Sequence, residues 1–208
     1  MDIILKLKEE LKVEKWQVEA AVKLIDEGNT IPFISRYRKE ATGSLNDEQL
    51  RNLHERLTYL RNLEEKKEQV IGSIEEQGKL TEELKNKILA AETLVVVEDL
   101  YRPYRPKRKT RASVAKEKGL EGLAQYILSQ DAKEPLETEA AKYINEEKEV
   151  KDEKEALQGA KDIIAESISD EADYRIYIRN ITMEEGTITS TAKDEKAESV
   201  YEMYYDYE

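Results

Sequence analysis

Residues 46–78, NDEQLRNLHERLTYLRNLEEKKEQVIGSIEEQG, carry the periodicity that decides the fold. Leu50, Leu53, Leu57 and Leu60 recur at spacings of three and four, which lays them along one face of an α-helix. Asn46 followed by Gln49 is a capping-box variant, in which the Asn side chain accepts from the free N–H groups of the first turn. Gly78 supplies a stop, so the spacing predicts one long helix over about 47–77. The same register sets Glu64 and Lys67 where apolar residues should continue, and it recovers at Ile71 and Ile74. The middle, 64–69, is therefore expected to be solvated on all sides, with the helix buried at both ends and spanning two packing units of an extended body. About two intact heptads are too few for an autonomous coiled coil.

Upstream, Ile3, Ile4, Leu7 and Leu11 fall on one helical face, and Val18, Ala21, Val22 and Ile25 repeat that spacing before Gly28 and Asn29 stop it. Pro32 suits the first turn of a third short helix over 31–37, where its missing N–H is not needed. Residues 41–44 then break the pattern. Downstream, 81–91 and 93–101 read as helices, although the run Val95, Val96 and Val97 equally fits a buried strand. Pro103 and Pro106 end regular structure and place the residues around them in a constrained loop. Helices are expected again at about 113–118, 120–129, 137–144, 153–167 and 170–184, with a strand candidate at 187–191 and a Tyr-rich helical segment at 198–207. The fold class is mainly α: an elongated multi-helix array with a helix-turn-helix-like N-terminal unit and at most one short β element near 187–191. Three regions are expected: a helix-turn-helix-like unit at 1–60, a helical body with the basic loop at 61–130, and an acidic helical segment at 131–208.

The 208 residues include 34 Lys and Arg, 46 Asp and Glu, one His and no Cys, for a net charge of −12. Without Cys there is no disulfide scaffold, thiol nucleophile or cysteine-bearing zinc site. His54 alone cannot build a His-based metal cluster, and at an exposed-looking helix position it reads as a solvated side chain. The charge is uneven: residues 1–130 hold 24 basic and 23 acidic side chains, whereas 131–208 hold 10 and 23. An evenly acidic surface would repel phosphate, but this one leaves a local cationic contact open. No apolar run approaches the roughly 20 residues that span a bilayer, and no signal peptide opens the chain. The expected location is the cytoplasm.

The densest feature is 102–116, which holds Arg102, Arg105, Lys107, Arg108, Lys109, Arg111 and Lys116 without one acid. Such cations neutralise phosphates and release counterions, while Arg and Tyr planes stack on unpaired bases. The same loop could instead dock on the chain's own carboxylates or on a protein partner. Arg36, Arg38 and Lys39 form a second candidate, with the alternative that they only complement the dipole at a helix C-terminus. Glu98 and Asp99 point in different directions on a helix and make no acid/base pair, and one of them is expected to pair with Arg102. No phosphate-cradling glycine loop is present. No catalytic residue, metal ligand, cofactor or small-molecule substrate is expected.

Four segments in order, 31–43 (IPFISRYRKEATG), 98–111 (EDLYRPYRPKRKTR), 155–166 (EALQGAKDIIAE) and 185–190 (EGTITS), resemble motifs at the start of Tex-type transcription accessory proteins. The resemblance covers nearly the whole chain. It implies a mostly helical N-terminal region with a helix-turn-helix-like unit and part of a central helical body, ahead of an RNase-H-like domain, a helix-hairpin-helix unit and an OB-fold RNA-binding domain. The chain stops at Glu208, where the family would run on, and so reads as an N-terminal fragment. The implied role is non-catalytic nucleic-acid binding in transcription, with RNA or DNA and the transcription machinery as partners. The nine candidate contacts, Arg36, Arg38, Lys39, Arg102, Arg105, Lys107, Arg108, Lys109 and Arg111, rest on charge rather than on the resemblance.

Overall fold

The computed structural model describes residues 2–106, 108–131, 134–194 and 196–207. It divides into two compact units, Met1–Tyr101 and Arg102–Glu208. Lys107 lies outside the described residues.

In the first unit, α1 (Ile3–Leu11), α2 (Lys15–Asp26), α3 (Ile31–Tyr37) and the single turn α4 (Lys39–Thr42) pack against the N-terminal half of α5 (Asp47–Glu76) or against one another. Pro32 sits in the first turn of α3, as its spacing predicts. The Asn46 carboxamide accepts from Gln49 N at 2.8 Å while the Gln49 side chain accepts from Asn46 N at 3.0 Å, so the capping box that marks the start of α5 is complete. The residues between α3 and α5 are not merely irregular. After the turn of α4 the chain reverses through Gly43 at φ +62° and Ser44 at φ +61°.

Helices α6 (Glu82–Ala90) and α7 (Leu94–Tyr101) fold back on α5. The Val-rich run is therefore helical, with Val97 fully buried and Leu94 N donating to Tyr59 Oη. This packing overturns the expected bare middle of α5. The buried positions are Leu50, Leu53, Leu57, Leu60, Leu63, Lys67, Val70 and Ile74. The seam takes an extra step of three at Leu63 before continuing at four and three, which swings the buried line back by roughly 60° around the helix and turns the later half of α5 toward α6 and α7. The expected register passed through Glu64 and Ile71, one residue off this line. Lys67 lies in the seam at 1% exposure, with Nζ donating to Glu64 Oε1 at 2.8 Å and to Leu89 O at 2.9 Å.

Two bidentate pairs fasten α5 to the helices before it. Arg56 donates to Glu10 at 2.6 and 2.8 Å, and Arg61 to Asp26 at 2.7 and 2.8 Å. The hydrogen bond from Arg56 holds the Glu10 carboxyl below its ordinary 4.5, and the bond from Arg61 holds Asp26 below 3.8. A carboxylate depressed in the folded state contributes stability above its unfolded pKa and loses it as pH falls through the folded value. The urea midpoint of the chain is expected to fall between about pH 5 and pH 3. In Arg56→Gln/Arg61→Gln that part of the profile flattens, since each exposed pair contributes up to about 1 kcal/mol. Parallel profiles for parent and variant would show that neither pair matters.

In the second unit, α8 (Arg111–Glu117), α9 (Glu121–Ser129), α10 (Leu136–Ala141) and α12 (Ala172–Glu185) all contact α11 (Glu153–Asp170). The core holds Leu120, Leu123, Val150 and Ile163 with six alanines, of which Ala115 and Ala160 let helix backbones approach closely. Of the strand candidate 187–191 only β1 (Ser190–Thr191) forms, paired antiparallel with β2 (Asp206–Tyr207). Its partner comes from the segment expected to be helical. There, only one 3-10 turn forms (Glu202–Tyr204) before the chain extends.

Candidate nucleic-acid interface

The basic segment leaves α7 at Tyr101 and enters α8 at Arg111. Thr110 starts α8 by a reciprocal box: its hydroxyl accepts from Ser113 N at 3.0 Å, and Ser113 Oγ accepts from Thr110 N at 2.9 Å. The helix thus begins two residues before its expected start, and Arg111 stands on its first turn instead of in the loop.

Both ends of the segment lean on α11. Arg102 Nε donates to Asp170 Oδ1 at 2.9 Å, joining a half-exposed guanidinium to a largely buried carboxylate. This replaces the expected pairing with Glu98 or Asp99; Glu98 engages Lys66 Nζ at 2.6 Å. Arg111 Nε stands 3.9 Å from Asp162 Oδ1 and remains 86% exposed. Lys109 Nζ stands 3.9 Å from Glu117 Oε2 and is 72% exposed. Both distances exceed a hydrogen bond, and ion pairs this exposed are worth little. Arg105 and Arg108 are exposed as well.

Residues Asp162 and Asp170 were not singled out from sequence, because nothing local links Arg102 to a carboxylate 68 residues away. Their one available signal is periodicity. Asp162 falls between the buried Ala160 and Ile163 at the edge of the apolar face of α11.

Arg36, Arg38 and Lys39 lie together on the first unit, around the junction of α3 and α4, and all are exposed. The Arg38 guanidinium sits 5.1 Å from the centroid of the Phe33 ring and donates to Tyr37 O at 3.2 Å. Phe33 in turn meets Tyr37, which is largely exposed, at 5.4 Å between centroids. A cation–aromatic surface of this kind can stack on a base as well as neutralise a phosphate. The turn behind it is braced by Trp16 and Gln17: Gln17 Nε2 donates to Thr42 O at 3.2 Å and Gly43 O at 3.1 Å. A Cβ on Gly43 would meet Trp16 Cη2 at 2.5 Å, which explains the glycine beyond its positive φ.

His54 is exposed, as expected of a solvated side chain. Among the described residues, no group of three or more His, Cys, Asp or Glu could hold a metal ion, and no helix is long and apolar enough to cross a membrane.

The fold defines a mainly α-helical protein with exposed cations between α7 and α8 and around the junction of α3 and α4. Residues 1–75 match the Tex-like protein N-terminal domain, and residues 130–208 match the Tex central region. The chain belongs to the Tex family, of which it carries the N-terminal and central regions. It is 52% identical over 202 residues to the uncharacterized protein YdcI of Bacillus subtilis (strain 168), covering 96% of this chain and 28% of that protein. It is 46% identical over 209 residues to the transcriptional accessory protein Tex of Neisseria gonorrhoeae, covering 100% of this chain and 27% of that protein. It is 32% identical over 182 residues to human S1 RNA-binding domain-containing protein 1, covering 86% of this chain and 18% of that protein. The chain thus spans between 18% and 28% of the length of these relatives.

Proposed function

We propose that this chain is a non-catalytic, cytoplasmic module of a transcription accessory protein. It contributes sequence-nonspecific phosphate contacts to RNA or DNA through Arg102, Arg105, Lys107, Arg108, Lys109 and Arg111, with Arg36, Arg38 and Lys39 as a second contact. A relative named as a transcriptional accessory protein and another named for an S1 RNA-binding domain support a transcription-linked, nucleic-acid-associated role. The observation that carries the reading is the exposure of Arg108 and Lys109 between the two ends of the basic segment. Charge held beside a strand in this way binds by counterion release and reads no sequence.

The test is a fluorescence-anisotropy titration of labelled single-stranded RNA and DNA with the 208-residue chain. Replacing Arg105, Lys107, Arg108 and Lys109 together by Gln is expected to weaken binding at least tenfold and to reduce the salt slope of log K by roughly three. Equal binding by parent and variant would sink the proposal.

The second reading is a helical scaffold that docks proteins such as the transcription machinery without binding nucleic acid. It is favoured by the exposed Tyr174, Tyr177, Ile178 and Met183 on α12. On that reading the quadruple variant loses melting temperature, and neither protein binds a strand.

A further inference from the structure

Beside the basic segment, α8 and α11 enclose a groove of about 410 Å³, within the size range of small-ligand sites. From α8 and its cap come Arg111, Val114, Ala115 and Lys118, and from α11 come Glu155, Gln158, Gly159 and Asp162. Each set follows i, i+3, i+4, i+7, so each helix turns one continuous face into the groove. The two rims differ in chemistry. Lys109, Arg111 and Lys118 can only donate, whereas Glu155 and Asp162 as carboxylates can only accept. Between them, Val114 and Ala115 form an apolar wall.

Asp162 is available to a ligand. Its Oδ1 accepts from Gln158 Nε2 at 3.2 Å, Arg111 Nε stands off at 3.9 Å, and Oδ2 receives no hydrogen bond among the described residues. Lys118 Nζ donates one proton to Glu149 O at 2.8 Å and has two more.

An occupant must therefore carry an anion at one end, a flat apolar body, and N–H donors at the other. We propose that the groove takes one unpaired nucleotide of an RNA or DNA strand, its phosphate on the cationic rim and its base against the α11 carboxylates, with preference for bases bearing an exocyclic amino group. Cytosine, adenine and guanine present such a group to a carboxylate, whereas uracil has no amino group and flanks its single N3–H donor with two carbonyls that Asp162 repels. An acidic peptide satisfies the cationic rim but sets its own carboxylates against Glu155 and Asp162. The slot rests on the phosphate reading above and adds a base preference to it.

The experiment compares labelled octamers of C and of U, pyrimidines of equal ring size, by anisotropy with the parent chain, Asp162→Asn and the quadruple Gln variant. The C octamer is expected to bind the parent roughly tenfold tighter than the U octamer. In Asp162→Asn the gap closes to within about twofold, because an amide both donates and accepts. Far-UV circular dichroism checks the fold, and if Asp162→Asn unfolds, Glu155→Gln replaces the other acceptor-only carboxylate by a neutral amide with the same expectation. Equal C and U affinities in the parent, or a gap that survives both substitutions, would overturn the slot while leaving the phosphate contacts intact. Failure of the parent to bind either strand would remove both readings. An octaglutamate peptide that competes with the C octamer at equal concentration would make the groove an acidic-peptide site and overturn the proposal.

Discussion

Lys67→Ala lowers the stability of the first unit by about 2–5 kcal/mol, the range found when a long buried side chain is truncated to Ala. The Lys67 side chain is 1% exposed, and its four methylenes fill the seam of α5 between Leu63 and Val70. At about 0.8 kcal/mol per buried methylene, truncation to Ala forfeits much of this by itself. The ammonium also serves the end of α6, where Leu89 O accepts from it at 2.9 Å, and a cation there complements the negative helix terminus. Without Lys67 that carbonyl loses the donor, whereas Glu64 is half-buried and can take up water. Lys67→Met keeps the volume and removes only the charge, so it costs less, about 1–3 kcal/mol. Urea denaturation followed by the fluorescence of Trp16, the sole tryptophan, reports on this unit. The expected order of midpoints is parent, Met, then Ala. An Ala variant within 1 kcal/mol of the parent, the range of a typical surface change, would show that Lys67 is not a structural member of the seam.

The same residue shows where sequence reading reached its limit. Helix starts were legible because caps are local: Asn46 and Gln49 lie three residues apart and bond as their spacing implies. A buried lysine is not local information. Residue type argues for solvent, and only the return of Leu89 onto α5, 22 residues on, supplies the acceptor that lets Lys67 stay inside. The one-residue shift at Leu63 was visible in principle, since Leu63 and Val70 are apolar, but a fixed register hid it. The basic segment was legible as a loop through Pro103 and Pro106, whereas its anchors at Asp162 and Asp170 depend on how α11 packs. The tyrosines at 201, 204 and 205 match a helical period, yet the chain there makes one 3-10 turn and then pairs with β1. Three residues of pattern are too few to nucleate a helix that buries no face.

Gly159→Val is expected to cost the second unit about 3 kcal/mol, combining overpacking with the loss of preferred helix rotamers. Gly159 lies inside α11, where glycine ordinarily costs up to 1 kcal/mol against Ala, so another constraint must favour it. A Cβ there would overlap Leu120 Cδ1 and stand 3.2 Å from Ala115 Cβ. Leu120 is 1% exposed within a core that also holds Ala115, Leu123 and Ala156, so displacing its side chain disturbs that packing. The absence of a side chain at 159 is thus what lets α8 and α9 close on α11, in the same layer that carries Arg111 and Asp162. Leu120→Ala alone costs about 2–5 kcal/mol through its cavity. In Gly159→Val/Leu120→Ala the valine occupies that cavity, and the double variant is expected to be more stable than the sum of the single losses by at least about 1 kcal/mol. Thermal melts of the four proteins by circular dichroism measure this coupling. Strictly additive losses would mean that the clash at Gly159 is relieved elsewhere and that Leu120 does not set the spacing of the three helices.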